Sequence, residues 1–411
     1  MKFRYFRDVR GVLKTKAKVY ESSEHGIDVM LVDREAVSIV ARLAARGHSA
    51  FIVGGAVRDL LLGKRPKDFD IVTDALPNRI RKLFSNSRII GRRFKLVHIY
   101  SNKRIYEVST FRSLSTGTIG NEYGTIDEDV RRRDFTVNSL YYDPLSGELV
   151  DFLDGLEDLK RKRLKAIIPL DRIFKEDPVR LMRGVKYAEV NGFSLSMALR
   201  HAIRRDAPLL AQVSSSRLAE EFYKILVSGK SAAIIKALER YRLLQHFMPE
   251  VADCLKHSRE FAEAFFADLA SLDLASQVPH DTSMLNKVSA AEIIQNYRRL
   301  ISPYIAWFIR QRLISFAKSQ DAPREPQGFR QAVYADVREF LSPLNLPRAA
   351  LEEAIESVLQ DEELMPAPPP PKRRKRGSRR KKPILHVETG TVRDSVISIS
   401  ADDDGTPSAH A

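Results

Sequence analysis

With one cysteine, Cys254, in 411 residues, the chain cannot close an internal disulfide or build a Cys-rich zinc site. That scarcity agrees with a reducing compartment, and Cys254 reads as a buried small hydrophobe. Long apolar runs are missing too: none approaches the roughly 18 residues that a membrane-spanning helix requires. The first residues, Met1-Lys-Phe-Arg-Tyr-Phe-Arg7, lack the apolar stretch of a secretory leader. The expectation is a cytoplasmic protein with no membrane partner. No internal repeat is visible. Hydrophobic residues still make up 44% and aromatics 8%, which supports a sizeable core and excludes a wholly disordered or fibrous chain.

Negative charge is in short supply, with 53 Asp and Glu against 68 Lys and Arg and a net charge of +15. Such an excess favours a polyanionic partner such as nucleic acid. Its position matters more than its size. Lys372, Arg373, Arg374, Lys375, Arg376, Arg379, Arg380, Lys381 and Lys382 place nine cations in eleven positions, leaving +6 on the rest. This run follows Pro366-Ala-Pro-Pro-Pro-Pro371 and shows neither helical nor alternating period. It should remain extended and solvated, and the folded part should end near residue 362.

Upstream, the pattern indicates an α+β head followed by an all-α region. Apolar spacing predicts a helix from Asp33 to His48, a strand at Ala50–Val53, a helix from Ala56 to Leu62, and a strand at Phe69–Thr73. Pro77 opens another helix, and strands are expected at Arg88–Ile90, Lys95–Tyr100 and Arg104–Thr110. Helical periods then dominate: Phe174–Val190, Ser216–Leu226, Ala232–Leu244, Glu260–Leu272, Ala291–Ala317 and Gly328–Leu341. The expected division is an N-terminal extension (1–32), a head (33–168), a helical neck (169–250), a helical body (251–362) and a disordered basic tail (363–411).

Asp68-Phe-Asp70 carries the first chemical signal. Carboxylates at i and i+2 of a strand share a face, and a hard cation such as Mg²⁺ relieves their repulsion. An isolated Asp-x-Asp is most simply a solvated strand end; its context points elsewhere. Gly54-Gly55, between a strand and a helix, lets backbone N–H groups approach a triphosphate, and Arg58 lies one turn on. The pair is not a Walker loop, because Gly63-Lys64 is followed by Arg65. Glu107, on a strand beside Asp-x-Asp, would complete the three carboxylates of a two-metal phosphoryl-transfer site. Arg132, Asp134 and Asn138 supply donors for phosphate and partners for ribose hydroxyls, although Asp134 also suits a helix cap. Asp177 and Arg180, three apart, can read an adenine edge, Asp177 accepting from N6 and Arg180 donating to N1. They equally suit an i,i+3 ion pair. His280-Asp281 lacks the further His and Asp of a phosphohydrolase and reads as a loop.

Taken in order, Gly-Gly-Ala-Val-Arg-Asp (54–59), Asp-Phe-Asp (68–70), Glu-Val-Ser-Thr-Phe-Arg (107–112), Arg-Arg-Asp-Phe-Thr-Val-Asn (132–138) and Glu-Asp-Pro-Val-Arg (176–180) closely resemble the class II nucleotidyltransferases. That family holds tRNA CCA-adding enzymes and bacterial poly(A) polymerases, and the likeness covers roughly residues 33–250. It implies a polymerase-β-like head, a helical neck and body, two Mg²⁺ ions, ATP as substrate, and template-independent addition of nucleotides to RNA 3′ ends. Asp68, Asp70 and Glu107 would be catalytic, the first two as metal ligands. Gly54, Gly55, Arg58, Arg132, Asp134, Asn138, Asp177 and Arg180 would bind nucleotide. The segment Ile89–His98 and the basic extension resemble the poly(A) polymerase branch, whose implied roles are mRNA polyadenylation and RNA decay. Its implied partners are messenger and small RNAs and the decay machinery. A tRNA CCA-adding or A-adding enzyme shares every catalytic residue named. For a non-catalytic RNA-binding protein the tail alone would suffice, but the retained carboxylates argue against that reading. Ser109 stands where the family more usually has Ala, and residues 260–340 match nothing in it.

The tail generates the first prediction. A flexible run of nine cations should tether RNA phosphates without entering the chemical step, each contact on a single strand contributing about 0.7 to the log–log salt slope. Truncation after Leu364 should raise KM for RNA, shorten the products and flatten that slope while leaving KM for ATP unchanged. Unchanged oligoadenylate affinity and slope in an anisotropy titration would remove the tail's role.

Overall fold

The computed structural model describes residues 2–7, 13–91, 95–101, 104–114, 123–276, 290–320 and 322–366. The basic run, His280-Asp281 and the centre of Ile89–His98 lie outside the described residues. Among the described residues nine strands build one sheet: β1 (Lys2–Arg7), β2 (Leu13–Tyr20), β3 (Ala50–Val53), β4 (Asp70–Thr73), β5 (Ser87–Ile90), β6 (Leu96–Ser101), β7 (Arg104–Thr110), β8 (Leu140–Asp143) and β9 (Glu148–Asp151). Their spatial order is β1-β2-β9-β8-β3-β4-β7-β6-β5. Every neighbouring pair is antiparallel except β4 and β7. Before residue 33, Lys2–Arg7 and Leu13–Tyr20 are thus part of the sheet, held at β2 by pairing with β9 and by Lys18, which donates to Asp154.

Alternation along the strands produces two apolar faces. Ile52, Ile71, Val108 and Tyr142 bury against Ile39, Leu43, Leu60 and Ile80 of the helices Arg34–Ala44, Gly55–Leu61 and Pro77–Leu83. Phe51, Val53, Val72 and Tyr141 point the other way, toward Phe111 and Val130. Asp33 caps its helix through the Glu35 and Ala36 N–H groups (2.9 and 3.1 Å) and also accepts from the Tyr106 hydroxyl (2.9 Å). The helix is therefore locked to β7, the strand that carries Glu107.

A separate helical core begins within the head sequence, at Phe135 and Val137, and runs to Leu359. The helix expected over Phe174–Val190 is split. Ile173–Glu176 forms one turn, Asp177 is extended (φ −152°, ψ 95°), and the long helix runs from Val179 to Asn191. Pro178 explains the break, since its ring disfavours helical backbone at the preceding residue. The helices Met197–Asp206 and Arg348–Asp361 were not expected. Cys254 is half-buried rather than buried, with Arg312 3.5 Å from its sulfur.

The turn Thr136–Asn138 rests on the helix Gly155–Lys160. A Cβ on Gly155 would collide with the Thr136 backbone carbonyl, and the Thr136 hydroxyl donates to Asp158 at 2.8 Å. Gly155→Ala should therefore cost about 1–3 kcal/mol through forced backbone displacement. The expected readout is a lower urea midpoint with an unchanged m-value; a midpoint within error of wild type would show that the turn yields freely.

Candidate active site

The floor is the edge where β3, β4 and β7 meet. β3 ends at Val53, opposite Asp70, and Gly54 then takes φ +69°, a backbone conformation suited to glycine. Here the chain passes close to two charged groups: a Cβ at Gly54 would lie 3.8 Å from the Asp70 carboxylate and 3.7 Å from the Arg133 guanidinium. The parallel register sets Ile71 beside Val108, so Asp70 and Glu107 stand side by side one residue earlier, on the Val53–Val72 face.

Asp68 is not on the strand, contrary to expectation. β4 begins at Asp70 because β3, its partner, has already turned into the helix at Gly55. Lys67 anchors this approach by donating to the Val227 carbonyl (2.8 Å). Asp68 still acts on Asp70 electrostatically. Burial by surrounding protein, then Glu107, then Asp68 push the Asp70 carboxyl up to about 6, although its tip opens to solvent. His98, across the strand pair from Glu107, lies 3.4 Å from its carboxylate and is an ion-pair neighbour when protonated. Among the described residues no group of three His, Cys, Asp or Glu side chains is closed to metal-ligand spacing.

Cations line the walls. Arg133 is braced by Asp129 (2.9 Å) and the Tyr141 hydroxyl (3.1 Å), and Tyr141 also donates to Asp129 (2.6 Å). Burial opposes its charge, but Tyr141 and Asp129 hold the Arg133 pKa above its ordinary value. Arg132 is pushed down to about 10 by burial and by Arg112 beside it. It stays cationic at neutral pH. Arg133 and Lys224 are the cations whose charge favours ionised Asp70.

Several expected nucleotide ligands have internal partners. Arg58 is 7% exposed, pairs with Asp59 (2.8 Å), donates to Asn138 Oδ1 (2.9 Å) and lies over the Tyr187 ring. Asn138 donates to Asp134 (3.2 Å), and Arg183 on the Val179–Asn191 helix approaches Asp134 Oδ2 at 2.8 Å. This last contact is ionic rather than an aligned hydrogen bond, for buried Asp134 Oδ2 and Arg183 Nε lack hydrogen-bond partners. Asp177 does not pair with Arg180. It takes Arg217 Nη2 on both oxygens (2.9 and 3.0 Å), while Arg180 donates to the Ile173 and Arg132 carbonyls (3.2 and 3.0 Å) and lies 3.5 Å from Glu176. Gly54, Asp70 and Glu107 are thus brought together; Arg58, Asp134 and Asn138 form a buried chain behind them. Arg133 and Arg112 were overlooked within motifs already quoted. Arg183, Arg217 and Lys224 carry no local sequence signal.

Residues 50–165 match the family model described as the poly A polymerase head domain. Residues 192–255 match one described as a probable RNA and SrmB-binding site of polymerase A. Poly(A) polymerase I of Escherichia coli O6:H1 is 37% identical over 258 residues, covering 59% of this chain and 56% of the relative. The CCA-adding enzyme of Geobacillus thermodenitrificans is 34% identical over 228 residues, covering 54% and 55%. The chain thus spans little more than half the length of these curated relatives. Among solved structures, the Bacillus stearothermophilus CCA-adding enzyme in complex with CTP aligns over 80% of this chain and 82% of its own, with TM-score 0.50 and 25% identity.

The crowded carboxylates yield a stability prediction. At pH 7, above the raised Asp70 value, its charge disfavours the folded state, so Asp70→Asn should leave the melting temperature unchanged or raise it. The gain should be about 0–1 kcal/mol, because solvent screens the open tip. Magnesium should stabilise wild type but not the variant. A marked fall in melting temperature would make Asp70 a structural residue.

Proposed function

Because the head of this chain belongs to the class II nucleotidyltransferase family, which poly(A) polymerases and CCA-adding enzymes share, we propose that the protein transfers AMP from ATP to RNA 3′ ends without a template. The observation that carries this reading is the pairing of Asp70 with Glu107 on adjacent parallel strands, beside a glycine that leaves room at the carboxylate. The donor set suits magnesium: all-oxygen, crowded, and held in a state that a divalent cation would relieve. Asp68 and Asp70 would hold the ions, with Glu107 beside them. When bound, magnesium lowers the pKa of an attacking hydroxyl and offsets charge on departing pyrophosphate.

The chain's own residues supply position and charge. Gly54 and Gly55 leave space for triphosphate oxygens, and Arg133, braced by Asp129 and Tyr141, offers a fixed cation next to Asp70. Arg132 and Arg112 extend that charge. Arg58, Asn138 and Asp134 act from behind, holding the sugar-side turn in place. Asp177 retains acceptor capacity beyond the bond from Arg217, because a carboxylate offers about four lone-pair sites. With Arg180 pinned by two carbonyls, the pair can present one acceptor and one donor to adenine.

The CCA-adding relative, and the CTP in the aligned structure, support a second reading: addition of one to three nucleotides to tRNA. Identity to poly(A) polymerase I, Ile89–His98 and the basic tail favour the first. Incubating the protein with ATP or CTP and either an oligoadenylate primer or a tRNA lacking its CCA end separates them. Long A tails on the primer are expected; addition confined to tRNA, with CTP used as well, would establish the alternative.

A further inference from the structure

On the helix Met197–Asp206, residues Met197, Arg200, His201 and Arg204 fall at i, i+3, i+4 and i+7 and therefore share a face. The end of the helix Ser231–Arg240 brings Arg240 and Tyr241 against it, and the six residues line a hollow of ≈ 290 Å³. Tyr241 is 7% exposed and carries the Arg204 guanidinium over its ring at 5.6 Å. Among the described residues no carboxylate lines the hollow. Among the described residues, Arg200, Arg204 and Arg240 have no ion-pair partner, whereas the next residue on the same helix, Arg205, is paired with Asp206 at 2.6 Å. The hollow falls inside residues 192–255, whose similarity to RNA-binding sequence points to no particular residue.

Three guanidinium groups converging without a counter-charge repel one another, and an anion that neutralises them is the complementary ligand. Arginine presents a planar fork matched to phosphate oxygens. The ring beneath Arg204 restricts that fork in advance, lowering the ordering cost of binding. At ≈ 290 Å³ the hollow is smaller than the enclosed sites of drug-sized ligands, which suits a strand crossing it more than an engulfed cofactor. A protein partner would be expected to find apolar surface, and the exposed apolar side chain here is Met197 alone.

We propose that Arg200, Arg204 and Arg240 form a docking subsite for consecutive phosphates of single-stranded RNA, distinct from the site around Asp70. Naming RNA as the ligand rests on the function proposed above. The subsite would hold the primer some distance from its reacting end, so it should govern affinity and retention without touching chemistry.

The test uses the full chain and a labelled oligoadenylate, read by fluorescence anisotropy across a salt series. The triple variant Arg200→Ala, Arg204→Ala, Arg240→Ala should weaken binding about tenfold or more and reduce the log–log salt slope by about 2, as loss of three phosphate contacts on a single strand requires. KM for ATP and kcat at saturating RNA should not move. The corresponding triple lysine variant, which keeps the charge but not the fork, should retain most of the slope while losing part of the affinity. If the alanine variant unfolds, Arg240→Glu alone, at an exposed helix end, should still reduce affinity and slope. A folded variant with wild-type RNA affinity and slope overturns the proposal, including when that variant loses binding to a protein partner. Anisotropy needs no turnover, so a protein that binds RNA through the hollow but adds no nucleotide would refute the proposed activity and leave this subsite standing.

Discussion

Asp134 is 4% exposed, and a carboxylate removed from water at that depth costs several kcal/mol unless a cation and hydrogen bonds offset it. The offset comes from the other side of the joint: Arg183 of the Val179–Asn191 helix supplies the charge, Asn138 and the Phe135 N–H supply hydrogen bonds. Asn138 in turn accepts from Arg58, on the helix that follows Gly54-Gly55. A charge that cannot be left alone thereby ties the turn behind the carboxylates to the first long helix of the helical region. Arg180 lies one turn before Arg183 on that helix and closes the same joint through the Arg132 carbonyl. Arg180, proposed above to meet the base, is held at a fixed offset from the turn behind Asp70, because the helix that bears it cannot rotate without stripping Asp134 of its counter-ion.

Around this joint the site reconciles opposite electrostatic demands. Its floor gathers carboxylates that repel one another, which is why the Asp70 pKa rises. Its walls gather arginines and Lys224, and Arg132 and Arg112 stand close enough to depress the Arg132 pKa. Neither group is comfortable in isolation. A polyphosphate accompanied by divalent cations, the ligand proposed above, would satisfy both. Asp129 and Tyr141 keep Arg133 from collapsing onto Asp70 by holding its guanidinium from behind.

How much of this was legible beforehand depends on the range of the interaction. Strand alternation is local, so the strands bearing Asp70 and Glu107 could be expected from apolar spacing, and the head strands and helices fell close to where that spacing put them. Asp68 was misplaced because the end of β4 is decided by where β3 turns away, a tertiary fact. Arg58, Asp134 and Asn138 were each read as nucleotide ligands, but sequence cannot tell a residue that faces a ligand from one that holds its neighbour in place. Arg217 lies 40 positions from Asp177 and Arg183 far from Asp134, so no spacing rule links them. Tyr241 and Arg204 meet only because two helices cross. The helix break at Asp177 was available from Pro178 and was overridden by the apolar period.

The pairing of β2 with β9 bears on how the chain is made as well as how it rests. Lys18 and Asp154 are 136 positions apart, so a ribosome working at about 5–20 residues per second exposes β2 for ~7–27 s before β9 exists. Throughout that interval β2 can pair with β1 on one side, but its other edge, the one that later takes β9, is open to any other strand in the cell. Its sequence, Leu-Lys-Thr-Lys-Ala-Lys-Val-Tyr, sets a lysine at every second position through the middle of the strand. Like charge on successive nascent chains discourages them from pairing with each other during the wait, and the same lysine at position 18 later finds its carboxylate when the sheet closes.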